Sequence, residues 1–128
     1  MAEVVADASA LVDLLLGNDL GHAVARRISG HVLHAPAHVD AEVLSALGRL
    51  QRAGVIEADS VETTLHLLAD APIQRHPVTG LLLGAWGRRH QLRPADAVYV
   101  ELAISLGVPL VTTDGRLRPV PVADIVVP

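Results

Sequence analysis

Asp7, Glu42, Asp96 and Asp114 are spread along a chain of 128 residues, yet each falls where alternating strands and helices would bring strand ends and helix starts together. Asp7 closes the apolar run Val4-Val5-Ala6, and Asp114 closes the run from Val108 to Thr113. Both would stand at the C-terminal tips of strands, where open α/β sheets bind ligands. Carboxylates suit hard divalent cations: Mg²⁺ is usually held by one or two of them, with water and substrate phosphate completing its shell. Two neighbouring ions can hold the attacking water and the leaving oxygen of a phosphodiester in line, so that hydrolysis requires no protein nucleophile.

Each of these acids also has a purely structural use. Asp7 can end a strand and begin a turn. Asp96, in Arg93-Pro94-Ala95-Asp96, can complement the dipole of a helix start, worth a few tenths to about 1 kcal/mol. Asp114, followed by Gly115, can form an Asx-type turn. Glu42 and Asp40 flank the same apolar stripe, and periodicity does not choose between them.

Composition narrows the chemistry further. All ten basic residues are arginine, so no lysine is available for a phosphate-binding P-loop or a Schiff base. With no cysteine, thiol nucleophiles, cysteine-ligated zinc and disulfides are excluded. The formal charge of −4 argues against coating nucleic acid through bulk charge, so any such contact must be local. The start Met1-Ala2-Glu3-Val4 is acidic where a signal peptide would be basic, and no apolar run reaches spanning length, which predicts a cytoplasmic protein without membrane contact.

The elements that must position the acids can be read from periodicity. Val4 to Asp7 reads as a buried strand, with Ser9 capping a helix that carries Leu11, Leu14 and Leu15 and stops at Gly17-Asn18. A helix over Gly21–Ser29 and a brief strand over His31–His34 follow. Pro36 suits the first turn of a long helix, in which Val39, Val43, Ala46, Leu47 and Leu50 share one face before Gly54 ends it. A helix over Ala58–Leu68, an edge strand over Ile73–His76 and a helix over Thr79–His90 come next. The helix after Arg93 should run to Gly107, the strand over Val108–Thr113 is followed by one turn at Gly115–Leu117, and Asp124–Val127 closes the chain as a strand. Alternation of this kind predicts a parallel sheet between helices, in one domain over residues 1–128.

Taken together, Val-Val-Ala-Asp7-Ala-Ser9, Pro36-Ala-His-Val-Asp-Ala-Glu42, Arg93-Pro-Ala-Asp96-Ala-Val-Tyr99 and Leu110-Val-Thr112-Thr-Asp114-Gly-Arg-Leu117 resemble the PIN-domain ribonucleases. The likeness is to the short VapC toxins of VapBC toxin–antitoxin pairs, and it covers nearly the whole chain. It implies an α/β three-layer sandwich with a five-stranded parallel sheet in the order 3-2-1-4-5, which would make the strands before Asp7 and Asp114 neighbours at a topological switch point. It also favours Glu42 over Asp40.

The activity implied is Mg²⁺- or Mn²⁺-dependent endoribonucleolytic cleavage, with Asp7, Glu42, Asp96 and Asp114 binding metal and positioning water. Ser9 and Thr112 would hydrogen-bond to and orient those carboxylates. The partners implied are RNA, a VapB-type antitoxin and a second copy of the chain. Where relatives often carry another acid or Asn after the last aspartate, this chain has Arg116 and Arg118, which speaks against a tightly held second ion.

RNA approaching an acidic pocket requires nearby cations, and Arg93, Arg116 and Arg118 are closest in sequence to the four acids. Arg26, Arg27, Arg49 and Arg52 read as solvated helix-end and loop charges. His31, His34 and His38 lack the spacing of a metal-ligand pair and read as structural. The rival reading is a catalytically silent PIN-like interaction module.

Overall fold

The computed structural model describes residues 2–128; Met1, the first residue of the acidic start, lies outside them. Five strands, β1 (Glu3–Ala6), β2 (Val32–Pro36), β3 (Ile73–His76), β4 (Leu110–Thr112) and β5 (Ala123–Ile125), form one sheet in the order β3-β2-β1-β4-β5. All four pairings are parallel. Six helices complete the described chain: α1 (Ala8–Leu16), α2 (Asp19–Ile28), α3 (Val39–Arg52), α4 (Ala58–Asp70), α5 (Leu82–Gly87) and α6 (Pro94–Leu106). None is long and apolar enough to cross a membrane. The predicted strand order is therefore the observed one, with β1 and β4 side by side.

Parallel strands covered on both faces must be apolar throughout, and Val4, Val5, Leu110 and Val111 are all fully buried. Val4 and Val111 pack with Ala10 of α1 and Ala23 and Val24 of α2. Val5 and Leu110, pointing the opposite way by the period of two, join Tyr99, Val100, Leu102 and Ala103 of α6. Leu11, Val39, Val43 and Leu47, each at most 1% exposed, tie α1 to α3 in the same cluster.

Several boundaries differ from the sequence-based expectation. Ser9 does not cap α1: Asp7 does, its carboxylate accepting the Ala10 N–H at 3.0 Å, while Ser9 sits in the first turn. Asn18 both follows the α1 stop at Gly17 and caps α2, accepting from Gly21 N–H at 2.7 Å, so α2 starts at Asp19 rather than Gly21. Pro36 ends β2 instead of opening α3. Its missing N–H costs the sheet no bond, because the β1 ladder has already ended at Val5 opposite His34 and the next amide, Ala37, bonds His76 on the other side at 2.7 Å.

The helix expected over Thr79–His90 is a 3₁₀ turn at Thr79–Leu81, the short α5, and further turns to Leu92. Gly80, Gly84 and Gly87 fall in this stretch and lower its helical propensity. β4 and β5 are shorter than read, with three residues each.

Candidate active site

At the C-terminal end of the sheet a cleft of about 440 Å³ is lined by Asp7, Ser9, Glu42, Asp96, Asp114, Arg93 and Arg116, among others. The four acids reach it from four different local settings. Asp7 is the N-cap of α1, Glu42 and Asp96 lie in the first turns of α3 and α6, and Asp114 caps the 3₁₀ turn Gly115–Leu117. Every one of the structural uses open to them is thus realised, and the same positions face one cleft. Helix N-termini carry partial positive charge, so their convergence also suits an anionic ligand.

Asp7 forms the buried floor, 6% exposed. Its Oδ1 accepts from Ser9 Oγ at 2.7 Å as well as from Ala10 N–H, and its Oδ2 accepts from Thr112 Oγ1 at 2.5 Å. Thr112, fully buried on β4, in turn accepts the Asp114 N–H at 3.0 Å. One hydroxyl therefore ties together the two acids that the β1–β4 junction brings side by side. Arg93 grips Asp96 through two bonds, at 2.9 and 3.2 Å, and Arg116 grips Asp114, at 2.6 Å from Nη2.

A model of the PIN domain family matches residues 4–122. Ribonuclease VapC3 of Mycobacterium tuberculosis (strain ATCC 25618 / H37Rv) is 53% identical over 116 residues, covering 90% of this chain and 85% of the relative. The chain belongs to the VapC family of PIN-domain ribonucleases. Ribonuclease VapC12 of the same strain is 41% identical over 115 residues, covering 89% of this chain and 88% of its own. Among solved structures, Mycobacterium tuberculosis VapC20, described as a sarcin-ricin loop cleaving toxin, matches with a TM-score of 0.68 at 16% identity, over 92% of this chain and 95% of that one. Rickettsia felis VapBC2, solved bound to a DNA fragment from its promoter, matches with a TM-score of 0.66 at 11% identity over 98% and 99%. At those identities the structural likeness bears on the fold alone.

In this PIN domain, burial pushes the Asp7 carboxyl up to about 6, against the pull of its Thr112, Ala10 and Ser9 hydrogen bonds, with the nearby Asp114 charge adding to the rise. Asp114 moves the other way, held below its ordinary value chiefly by its bonds to Arg116. The two neighbours are thus electrostatically unlike. Asp7 is a charge the fold strains to bury, while Asp114 already has a cation beside it.

All the acids of this PIN-domain cleft offer hard oxygen ligands, which fits Mg²⁺ or Mn²⁺. Among the described residues no three acidic or histidine side chains converge tightly enough to cage an ion unaided. A Mg²⁺ site that keeps several waters and completes its shell with substrate phosphate has no need of such a cage.

Asp40, the alternative to Glu42, faces away from the cleft and is paired with Arg75 at 2.8 and 2.9 Å. Arg118 does not line the cleft, whereas Arg49, read from sequence as a solvated helix charge, does. His34 bridges Glu3 at 2.7 Å and His76 at 2.8 Å across three strands, a structural use of the kind expected of it. His38 is different: it lines the cleft, with Nε2 3.0 Å from the Ala95 carbonyl oxygen and 3.5 Å from Glu42 Oε1.

Sequence reasoning also missed Tyr99, whose hydroxyl donates to Glu42 at 2.6 Å. Its spacing three residues after Asp96, on the same helical face, was the available signal. Thr112→Val tests the β1–β4 tie directly. It should cost about 1–3 kcal/mol in a urea melt, because Asp7 Oδ2 and the Asp114 N–H both lose a buried partner; an unchanged midpoint would show that the hydroxyl carries no such tie.

Proposed function

We propose that this chain is a Mg²⁺- or Mn²⁺-dependent endoribonuclease that acts as the toxin of a toxin–antitoxin pair, with RNA as substrate and a VapB-type antitoxin as its inhibitor. The observation that carries the reading is the convergence of four acids from four separate helix starts on one cleft, with Asp7 buried at its floor. Asp7, Glu42, Asp96 and Asp114 would hold the metal. When bound, the metal supplies Lewis-acid activation of a water and charge neutralisation at the scissile phosphate.

The chain's own residues do the positioning. Ser9 and Thr112 hold the Asp7 carboxylate in one orientation by donating to its two oxygens. Arg93 and Arg116, with about two thirds of each side chain exposed, can turn from their carboxylates to phosphate oxygens and hold the RNA backbone. The N-termini of α1, α3 and α6 add partial positive charge on the same side. Trp86 lies outside the cleft lining and Tyr99 is buried, so recognition there rests on phosphate and shape rather than on base stacking.

The antitoxin reading is supported by the family and by the toxin–antitoxin assemblies among similar folds, such as a complex from Klebsiella pneumoniae with a TM-score of 0.62 at 12% identity over 94% of this chain and 95% of that one. A homodimer belongs to the same reading, and Leu82, Leu83 and Trp86 on α5 offer exposed apolar surface for association. Chelation tests the metal requirement. RNA cleavage should vanish in EDTA and return with excess Mg²⁺ or Mn²⁺, and cleavage that persists undiminished in EDTA would exclude the metal mechanism.

A further inference from the structure

The four acids of the cleft are not equivalent in what their oxygens already do. Asp7 accepts hydrogen bonds on both oxygens, from Ser9 and Ala10 on one and from Thr112 on the other. Asp96 and Asp114 each have both oxygens engaged by an arginine. Glu42 alone is divided. Its Oε1 accepts from the Tyr99 hydroxyl at 2.6 Å and lies 3.5 Å from His38 Nε2, while its Oε2 has no hydrogen-bond partner among the described residues.

Tyr99 is well placed to keep that division. It is 1% exposed on α6, and its ring lies 4.7 Å from that of His38, which is anchored in turn on the Ala95 carbonyl. Buried beside the Glu42 carboxylate, the phenol presents its O–H to that one oxygen. A carboxylate pinned through one oxygen offers the other singly.

The two common hard cations respond differently to such a carboxylate. Mg²⁺ demands a compact octahedral shell and readily takes one oxygen from each carboxylate, whereas Ca²⁺ takes more oxygens at longer distances and often both from one carboxylate. We propose that Tyr99 is a positioning residue that sets the cation preference of the centre, favouring Mg²⁺ and Mn²⁺ over Ca²⁺ by occupying Oε1 of Glu42. The inference rests on the metal-centre reading above and goes beyond it by assigning selectivity to a residue that need not touch the ion.

The test is calorimetric titration with Mg²⁺, Mn²⁺ and Ca²⁺ separately, without RNA and with a non-cleavable RNA oligonucleotide bound, for wild type, Tyr99→Phe, Tyr99→Met and Asp7→Asn. Tyr99→Phe keeps the buried ring and removes one oxygen. The affinity ratio of Ca²⁺ to Mg²⁺ should rise by about tenfold, the scale on which partners of ligating groups tune metal sites. Tyr99→Met should move the ratio the same way with Glu42 intact, since it too lacks the hydroxyl and its side chain adapts to an irregular core gap, and it carries the test if the Phe variant does not fold. A merely structural Tyr99 would lower the melting temperature and leave the ratio where it was, which would overturn the proposal. If wild type takes up no ion even with the non-cleavable RNA bound, and so matches Asp7→Asn, the metal-centre reading itself falls, and the selectivity proposal with it.

Discussion

Asp7→Asn should abolish most RNA cleavage and at the same time stabilise the metal-free protein at neutral pH. The loss of activity should exceed the roughly hundredfold effect of losing a group that merely orients a ligand, because Asp7 is the floor of the cleft. The gain in stability follows from burial. Folding lifts the Asp7 carboxyl from 3.8 to about 6. Below pH 4 the side chain is protonated in both states and burial of charge costs nothing. Between pH 4 and 6 the unfolded chain releases its proton while the folded one retains it, so stability falls as pH rises. Above pH 6 the cost is complete, at up to about 3 kcal/mol for a rise of this size.

Asparagine removes that charge and still suits an N-cap, so the Ala10 bond survives, and its amide N–H can donate to Thr112 Oγ1 in place of the bond that Oδ2 accepts. The variant should therefore unfold at higher denaturant concentration than wild type at pH 7.5, with the advantage shrinking towards pH 4. Saturating Mg²⁺ should narrow the gap by stabilising only the wild type. Wild-type activity in Asp7→Asn would sink the assignment of cleavage to this centre, and no cleavage by either protein would leave the silent interaction module; a variant less stable than wild type at pH 7.5 would refute the electrostatic account.

The second large effect is expected far from the acids. Gly21→Ala should destabilise the fold by about 3 kcal/mol or more, at or beyond the upper end for overpacking. A Cβ at Gly21 would stand 1.9 Å from the Asp13 carbonyl oxygen and 2.6 Å from its carbon. These are backbone atoms of α1, and that oxygen also accepts the Gly17 N–H at 3.1 Å in the turn between the helices, so neither partner can yield locally. The helices would have to separate, drawing α1 and the Asp7 cap with them.

Gly84→Ala provides the contrast. Its Cβ would meet Glu101 Oε1 at 1.7 Å, but that is the tip of a flexible side chain, whose ion pair with Arg88 spans 3.4 Å. Equal melting temperatures for the two variants would show that the α1–α2 contact yields as readily as a flexible side chain.

Much of this was legible locally. Strand β1, the stops at Gly17 and Gly107, and the starts of α4 and α6 follow from apolar runs, left-handed glycines and first-turn residues, because these depend on neighbours within one turn. Where local rules competed, the sequence was ambiguous. Pro36 suits a helix start as well as a strand end, and only the end of the β1 ladder decides between them. Ser9 and Asp7 are both good caps; Asp7 takes the position, and both side chains also meet Thr112, more than 100 positions later.

The site divides in the same way. Residue types and their spacing were enough to place four acids at helix starts and strand tips and to exclude lysine and cysteine chemistry. Choosing Glu42 over Asp40 was beyond periodicity, since both flank one stripe; the fold turns Asp40 to Arg75 on β3 and Glu42 to Tyr99 on α6. Arg49 entering the cleft, Arg118 missing it and the pinning of Glu42 were likewise decided only by the tertiary structure. Caps and turns are set by hydrogen bonds between near neighbours, whereas a side chain's partner across the sheet depends on strand order and helix packing, which no local pattern encodes.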